Sequence, residues 1–461
     1  MKSYEFTILI DERHVTGQYG VSGEEFVPAG SAELVLDPLA LKTVGLMNRW
    51  LSFWDLIEGS KIRLKENLLH PDTLEVLGTH LWGLILANNV GQELRAKIPG
   101  EGQQPLRLSI EFADRADATL KGLPWEFLYE PQGEWYLAAK TELLLTRFVT
   151  TTDEPTTVAQ ATENEKLRAL LIAALPNADH FAIHREALRK LRTALNDLQN
   201  LNVPEPIEAW DAAAIRSELK KFQYHIVHVV GICRGTPGNP KIYLGGSGDG
   251  FEDPGTFINT LTANAMRPRL VILQLCDFVD GDATENFERM APALIKSRVP
   301  AVLALQYAAR ADQAENIGLG TTFYKSLVDG EHIGAAVQAS RKRLLDAHPD
   351  RRFGTPVLYL KEDVALRRPL TQTAIAHSTA QSGQSEDAIL RGLIGVVQSA
   401  TGLDRSEQTS ILMWVSTLDR HAGFEEVTIA VKAKLRDHLD EPSLDTYAQM
   451  LVKLGELQKE S

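Results

Sequence analysis

RLVILQLC (269–276) is the stretch on which the fold turns. Its nearly unbroken apolar run suits a strand buried on both faces, the habit of parallel sheets. Working outward, LRALLIAAL (167–175), FQYHIVHVVG (222–231) and VPAVLALQ (299–306) share that texture, and TPVLYL (355–360) is a shorter example. Helical patterns lie between them at 184–198, 283–298, 311–328 and 332–347. Buried strands alternating with helices predict an α/β domain over 165–365, three layers around a mostly parallel sheet. Ligands and catalytic groups of such sheets gather at the carboxyl ends of the strands.

Upstream the texture differs. YEFTILID (4–11) alternates as a strand, and AELVLDP (32–38) reads as a second. Leu46, Trp50, Leu51, Trp54 and Leu56, then His80, Trp82, Leu84 and Leu86, predict two or more helices across 39–99. PLRLSIEFA (105–113) reads as a strand, and 120–149 as an aromatic cluster followed by another. Residues 1–150 therefore read as an α+β subdomain. The polar, aperiodic segment 150–166 contains Pro155 and reads as a linker or surface loop. Residues 366–387 are rich in Ser, Thr, Gln and Ala, a second linker. Residues 388–461 carry four short helical patterns and predict a small bundle, with Leu444, Tyr447, Leu451 and Leu454 on one stripe.

The 461 residues hold 48 Lys and Arg against 61 Asp and Glu, a net charge of −13. That balance argues against nucleic acid or an anionic membrane as the main partner and turns attention to protein partners. No run reaches the ~18 apolar residues of a membrane span. Only two cysteines occur, Cys233 and Cys276. They exclude a disulfide framework and a thiolate zinc cluster, and fit a reducing cytoplasm. No HExxH or CxxC occurs, so neither metal nor cofactor is expected. The glycine-rich YLGGSGDGF (243–251) lacks the lysine of a phosphate loop and reads as a hairpin turn.

Cys276 closes an apolar strand and precedes Asp277. A thiolate nucleophile needs partial exposure, a base and amide donors, which a strand end offers. The plainer alternative is a small buried hydrophobe. His225 and His228 stand at odd spacing in one strand, hence on opposite faces. Each reads as a hydrogen-bonded structural histidine or, alternatively, a base. Cys233 reads as a small loop residue.

Several blocks, in order, resemble the CHAT family, bacterial relatives of caspases and separases. They are LPWEFLYEP (123–131), YLAAKTELLLTRFV (136–149), FQYHIVHVVGI (222–232), RLVILQLCD (269–277), APALIKSRVPAVLALQY (291–307) and FYKSLVDGEHIGAAVQASRKRL (323–344). The resemblance covers roughly 1–362 and implies a caspase-like three-layer sandwich. It also implies a cysteine–histidine dyad that cleaves peptide bonds, with Cys276 at the nucleophile's place. His228 matches the family's strand histidine. Ile232 stands where the base belongs, Cys233 replaces the glycine that follows it, and Asp277 departs from the pattern after the nucleophile. An isoleucine accepts no proton, and Asp277 would raise the Cys276 thiol further by like-charge repulsion. The resemblance thus implies a catalytically impaired pseudopeptidase of a bacterial defence or conflict system, acting through protein contacts as scaffold or regulator. The alternative is a cysteine endopeptidase with Cys276 as nucleophile, switched on by a partner, with His228, His225 or His184 as substitute base. The 388–461 segment resembles an adaptor module in size and position, which implies protein partners or a homo-oligomer.

Overall fold

The computed structural model describes residues 4–361 apart from 22–24, 53–70, 101, 150–164, 178, 209, 237–238, 246–249, 264–266, 279–283, 308–318 and 348–350, together with residue 366. The expected bundle at 388–461, nearly all of its linker, and the segment 311–318 lie outside the described residues. The chain divides into two compact units, Met1–Arg368 and Pro369–Ser461. The architecture below is that of the first.

In chain order its strands are β1 (Tyr4–Ile10), β2 (His14–Val21), β3 (Val27–Glu33), β4 (Leu106–Phe112), β5 (Tyr129–Glu130), β6 (Trp135–Tyr136) and β7 (Leu143–Phe148). They continue as β8 (Leu167–Ala174), β9 (Leu201–Asn202), β10 (Ile226–Thr236), β11 (Asn239–Tyr243), β12 (Phe251–Glu252), β13 (Leu270–Phe278), β14 (Ala301–Leu305) and β15 (Pro356–Leu360). All but β5 and β6 join one 13-stranded sheet with the path β12-β11-β10-β13-β14-β15-β7-β4-β1-β2-β3. Strands β8, β10, β13 and β14 run parallel. β15 lies antiparallel to β14, then β15, β7, β4 and β1 run parallel to one another. The sheet is therefore mostly parallel, but built of two halves of opposite polarity that meet at β14 and β15.

The β10 half has a core on each face, and the other half has one of its own. In the half built on β10, the pleat sends Ile226, Val230 and Ile232 to one core and Val227, Val229 and Cys233 to the other. Helices Ala182–Asn196 and Thr321–Val328 cover the first face. Helices Ala212–Lys221, Pro254–Leu261 and Thr284–Lys296 cover the second. That is the expected α/β three-layer arrangement. In the other half, helices Pro38–Ser52, Pro71–Ile85 and Asn89–Lys97 pack with Phe6, Ile8 and Ile10 of β1.

The expected strand at 32–38 is corrected: β3 ends at Glu33. The Asp37 carboxylate accepts from the Leu39 amide at 2.9 Å, and Pro38 opens the next helix. Asp before Pro is a helix-start signal, and it outweighs the apolar pair Val35 and Leu36. The sheet edge at β3 is interrupted by Pro28 and by Gly30 at φ 97°, features that discourage edge-to-edge pairing.

Buried polar groups lock the two halves together. β7 and β15 pair only at Arg147↔Tyr359 and Phe148↔Leu360. Where they part, the buried Arg341 guanidinium stands in for the ladder. Its Nη1 donates to the Leu145 carbonyl at 2.8 Å, and its Nη2 to the Pro356 carbonyl at 2.7 Å. Burial lowers its pKa to about 10. Alongside, Arg147 forks onto Glu126 through Nε–Oε1 at 3.1 Å and Nη2–Oε2 at 2.7 Å. Gln306, just past β14, donates to the same carboxylate at 3.3 Å and to the Gly354 carbonyl. The LPWEF turn that supplies Glu126 is pinned by Trp125 Nε1 on the Leu120 carbonyl at 2.8 Å.

Gly78 lets helix Pro71–Ile85 rest on that turn. A β-carbon there would lie 2.2 Å from the Phe127 carbonyl oxygen and 2.5 Å from Tyr129 Cβ. Gly78→Ala should therefore destabilise the chain by about 1–3 kcal/mol in urea unfolding. Helix propensity alone would give a gain of about 1 kcal/mol, so the sign of the change shows whether the clash or the propensity wins.

Candidate functional site

The site expected at the carboxyl ends of β10 and β13 is built on an irregular ladder. Pairing runs in register from Ile226↔Leu270 to Gly231↔Leu275, then resumes at Ile232↔Asp277 and Cys233↔Phe278. Cys276 is the extra residue of the β13 backbone, the position of a β-bulge. Bulges bend a strand and re-aim a side chain, and they recur beside active sites. β13 does not end at Cys276, as the apolar run suggests, but continues to Phe278.

Ile232 follows at the same level on β10. It is 1% exposed and belongs to the core that also contains Phe323 and Tyr324. An aliphatic side chain embedded in that core can neither take nor give a proton.

Cys233 is a correction. It is not a loop residue but lies inside β10, which runs on to Thr236, and it pairs with Ile242 of β11. The physical reason is a handover at the strand's edge. β8 accompanies β10 only as far as Gly231, where Ala174 pairs, and β11 takes the edge from Cys233 onward. The thiol is buried in the second core, the face opposite Ile232, and burial pushes its pKa up to about 12. It stays a protonated, unreactive thiol at neutral pH. Tyr243 and Phe251 pair antiparallel on either side of the glycine-rich 243–251, with Gly245 and Gly250 at positive φ, while 246–249 lie outside the described residues.

His228 is fully buried between two partners. Gln274 Oε1 can only accept, so His228 Nε2 carries the proton and donates to it at 3.1 Å. The Tyr324 hydroxyl then donates to Nδ1 at 2.8 Å. Burial raises the Tyr324 pKa, which keeps that hydroxyl protonated and a donor. Burial holds His228 down to about 4, opposed by its bond to Gln274. The imidazole is thus neutral at pH 7, with both ring nitrogens engaged. His225 lies just before β10, and its Nδ1 accepts from the Arg168 amide at 3.0 Å. His184 is buried in helix Ala182–Asn196.

Gln274 and Tyr324 hold this site together, and neither stands out in the sequence as a site residue. Gln274 carries a usable signal. It interrupts the otherwise apolar run 270–276, and a polar group buried there needs a partner. Tyr324 carries none, being 96 residues from His228. Among the described residues no group of three or more His, Cys, Asp or Glu side chains could hold a metal ion. Among them, too, no helix is long and apolar enough to cross a membrane.

Comparison with known families matches the CHAT domain over residues 75–424. That span starts later than the resemblance at 1–362 and reaches into the stretch expected to be helical. No curated protein matches the chain. Among solved structures, the separase–securin complex of Saccharomyces cerevisiae is similar in two crystal structures, at 2.6 and 3.0 Å resolution. Both are 12% identical and cover 70% of this chain, with TM-scores of 0.32 and 0.33. The chain spans 23% and 22% of those chains, less than a quarter of their length.

Proposed function

Because the chain belongs to the CHAT domain family, we propose that it keeps a caspase-like peptidase scaffold and works without cleaving peptides, as a scaffold or regulator in a bacterial defence system. One observation carries the reading: Ile232, at the place of the base, is buried and aliphatic. The occupied nitrogens of His228 support it, since a base must present a free lone pair to the thiol. Cys233, buried and protonated, offers no substitute nucleophile. Loss of general base catalysis removes about 10²–10⁴ in rate.

A thiol-directed peptidyl probe tests this. The expected result is no labelling at Cys276 at pH 7. Labelling that requires Cys276 and disappears in His228→Ala would overturn the proposal.

The second reading, an endopeptidase with Cys276 as nucleophile that a partner switches on, is favoured by the bulge alone. It requires the partner to supply the base or to free His228 from Tyr324 and Gln274. Probe labelling that appears only when partner is added would select it.

A further inference from the structure

The opposite end of the same strands carries a feature that the proposed function does not use. Backbone hydrogen bonds tie one row of residues together across the amino ends of the parallel strands. The Arg168 amide donates to His225 Nδ1, the His225 amide to the Arg168 carbonyl at 3.0 Å, and the Arg269 amide to the His225 carbonyl at 2.9 Å. The Ala301 amide donates to the Arg269 carbonyl at 3.2 Å, and the Lys361 amide to the Pro300 carbonyl at 2.9 Å. By the pleat, Arg168, His225, Arg269 and Lys361 all lie on the face of the second core, since Leu170, Val227, Val271 and Tyr359 belong to it. Arg267 and Arg298 stand just before β13 and β14, and Lys296 closes the helix that leads into β14. The neighbouring helix Ala212–Lys221 ends at this level too, and its carboxylate Glu218 is bonded to Tyr224 and Lys221. In a chain of net charge −13, Arg168, Arg267, Lys296, Arg298 and Lys361 gather at this rim around the buried Arg269 and His225.

Arg267 supplies the second observation. Its Nε and Nη1 are buried and have no hydrogen-bond partner. Burial lowers its pKa, the sign of a cation held without compensation. Buried donors left unsatisfied cost about 1–3 kcal/mol each, so a carboxylate that reached them would gain correspondingly.

We propose that this rim is a docking site for an extended acidic segment of a protein partner, with Arg267 as its central contact. The dimensions favour a peptide over a single anion. Neighbouring strands stand about 4.8 Å apart, so β8 to β15 spans about 19 Å, the length of about six extended residues. Guanidinium groups fork onto carboxylates, which gives such a site direction as well as charge. The proposal is independent of whether Cys276 is active.

The test is fluorescence anisotropy of the full-length chain with a labelled ten-residue Asp/Glu-rich peptide. Binding should weaken with salt. Arg267→Gln combined with Arg298→Gln should lower affinity about tenfold, while Lys342→Gln, in helix Ile333–Ala347, should not. Thermal melts of each variant check that the fold persists. No binding, or binding unchanged in the double variant, overturns the proposal. So does inorganic phosphate displacing the peptide at equal molar concentration, which would mark a simple anion site. Tighter binding of a single-stranded oligonucleotide, lost in the same double variant, would overturn it in favour of nucleic acid.

Discussion

Arg147→Met should destabilise the folded chain by about 3–5 kcal/mol, read as a lowered urea midpoint. Arg147 and Glu126 are 4% and 1% exposed and joined by two hydrogen bonds. Removing the cation leaves a carboxylate in the interior whose remaining side-chain hydrogen bond among the described residues comes from the neutral Gln306 amide, with the Arg341 charge as its other electrostatic neighbour. The Lys121 carbonyl loses a donor as well, and the Leu123 carbonyl loses one of two, keeping the Trp125 amide. The cost is mainly that of the stranded charge, not of the bond. The double variant Arg147→Met with Glu126→Leu should therefore be less destabilised than the sum of the single variants. Additive losses would mean that the pair does not act as a unit.

Acid should weaken the chain through His228. Its pKa is about 4 in the folded state, against about 6.5 when unfolded. Between those values the unfolded chain binds more protons, so stability rises with pH. The contribution is fully present above pH 6.5 and is lost as pH falls toward 4. A difference of about 2.5 units corresponds to about 3 kcal/mol. Urea midpoints at pH 7 and pH 4.5 measure it, and His228→Phe should flatten the dependence. An unchanged slope in that variant would assign the acid sensitivity to other groups. The same experiment bears on the site. A slope that flattens in His228→Phe would support the proposal that His228 does not act as the imidazolium partner of a thiolate.

The parallel half of the sheet is legible in the sequence because its strands are buried on both faces, and short continuous apolar runs bounded by turn residues suit few elements besides such strands. β2 is not. HVTGQYGV places Val15, Tyr19 and Val21 on one face, but Gly17 breaks that row and Gly20 adds a second glycine, so the alternation is too thin to stand out. β10 reads too short for a different reason. RGTPGNP has the composition of a turn, yet β10 reaches Thr236 before the chain reverses into β11. Tertiary pairing overrides local preference. At the site, motif alone points to Cys276 and Ile232, whereas the clamp on His228 depends on a tyrosine that only folding brings near. The bulge is invisible for the same reason, since a register shift belongs to two strands and not to one.

The place of β15 has a consequence for how the protein is made. It is the last described strand in the chain, yet it fills the middle of the sheet between β14 and β7. Until residue 360 has left the ribosome, both neighbours present open edges, the condition that invites misassociation. Fragments cut at the polar 150–166 segment should fare no better, because each piece would lack the strand that closes it or the half it closes against. A shortened version for expression is best taken beyond Leu360, and late synthesis of that strand delays completion of the sheet until most of the chain has been made.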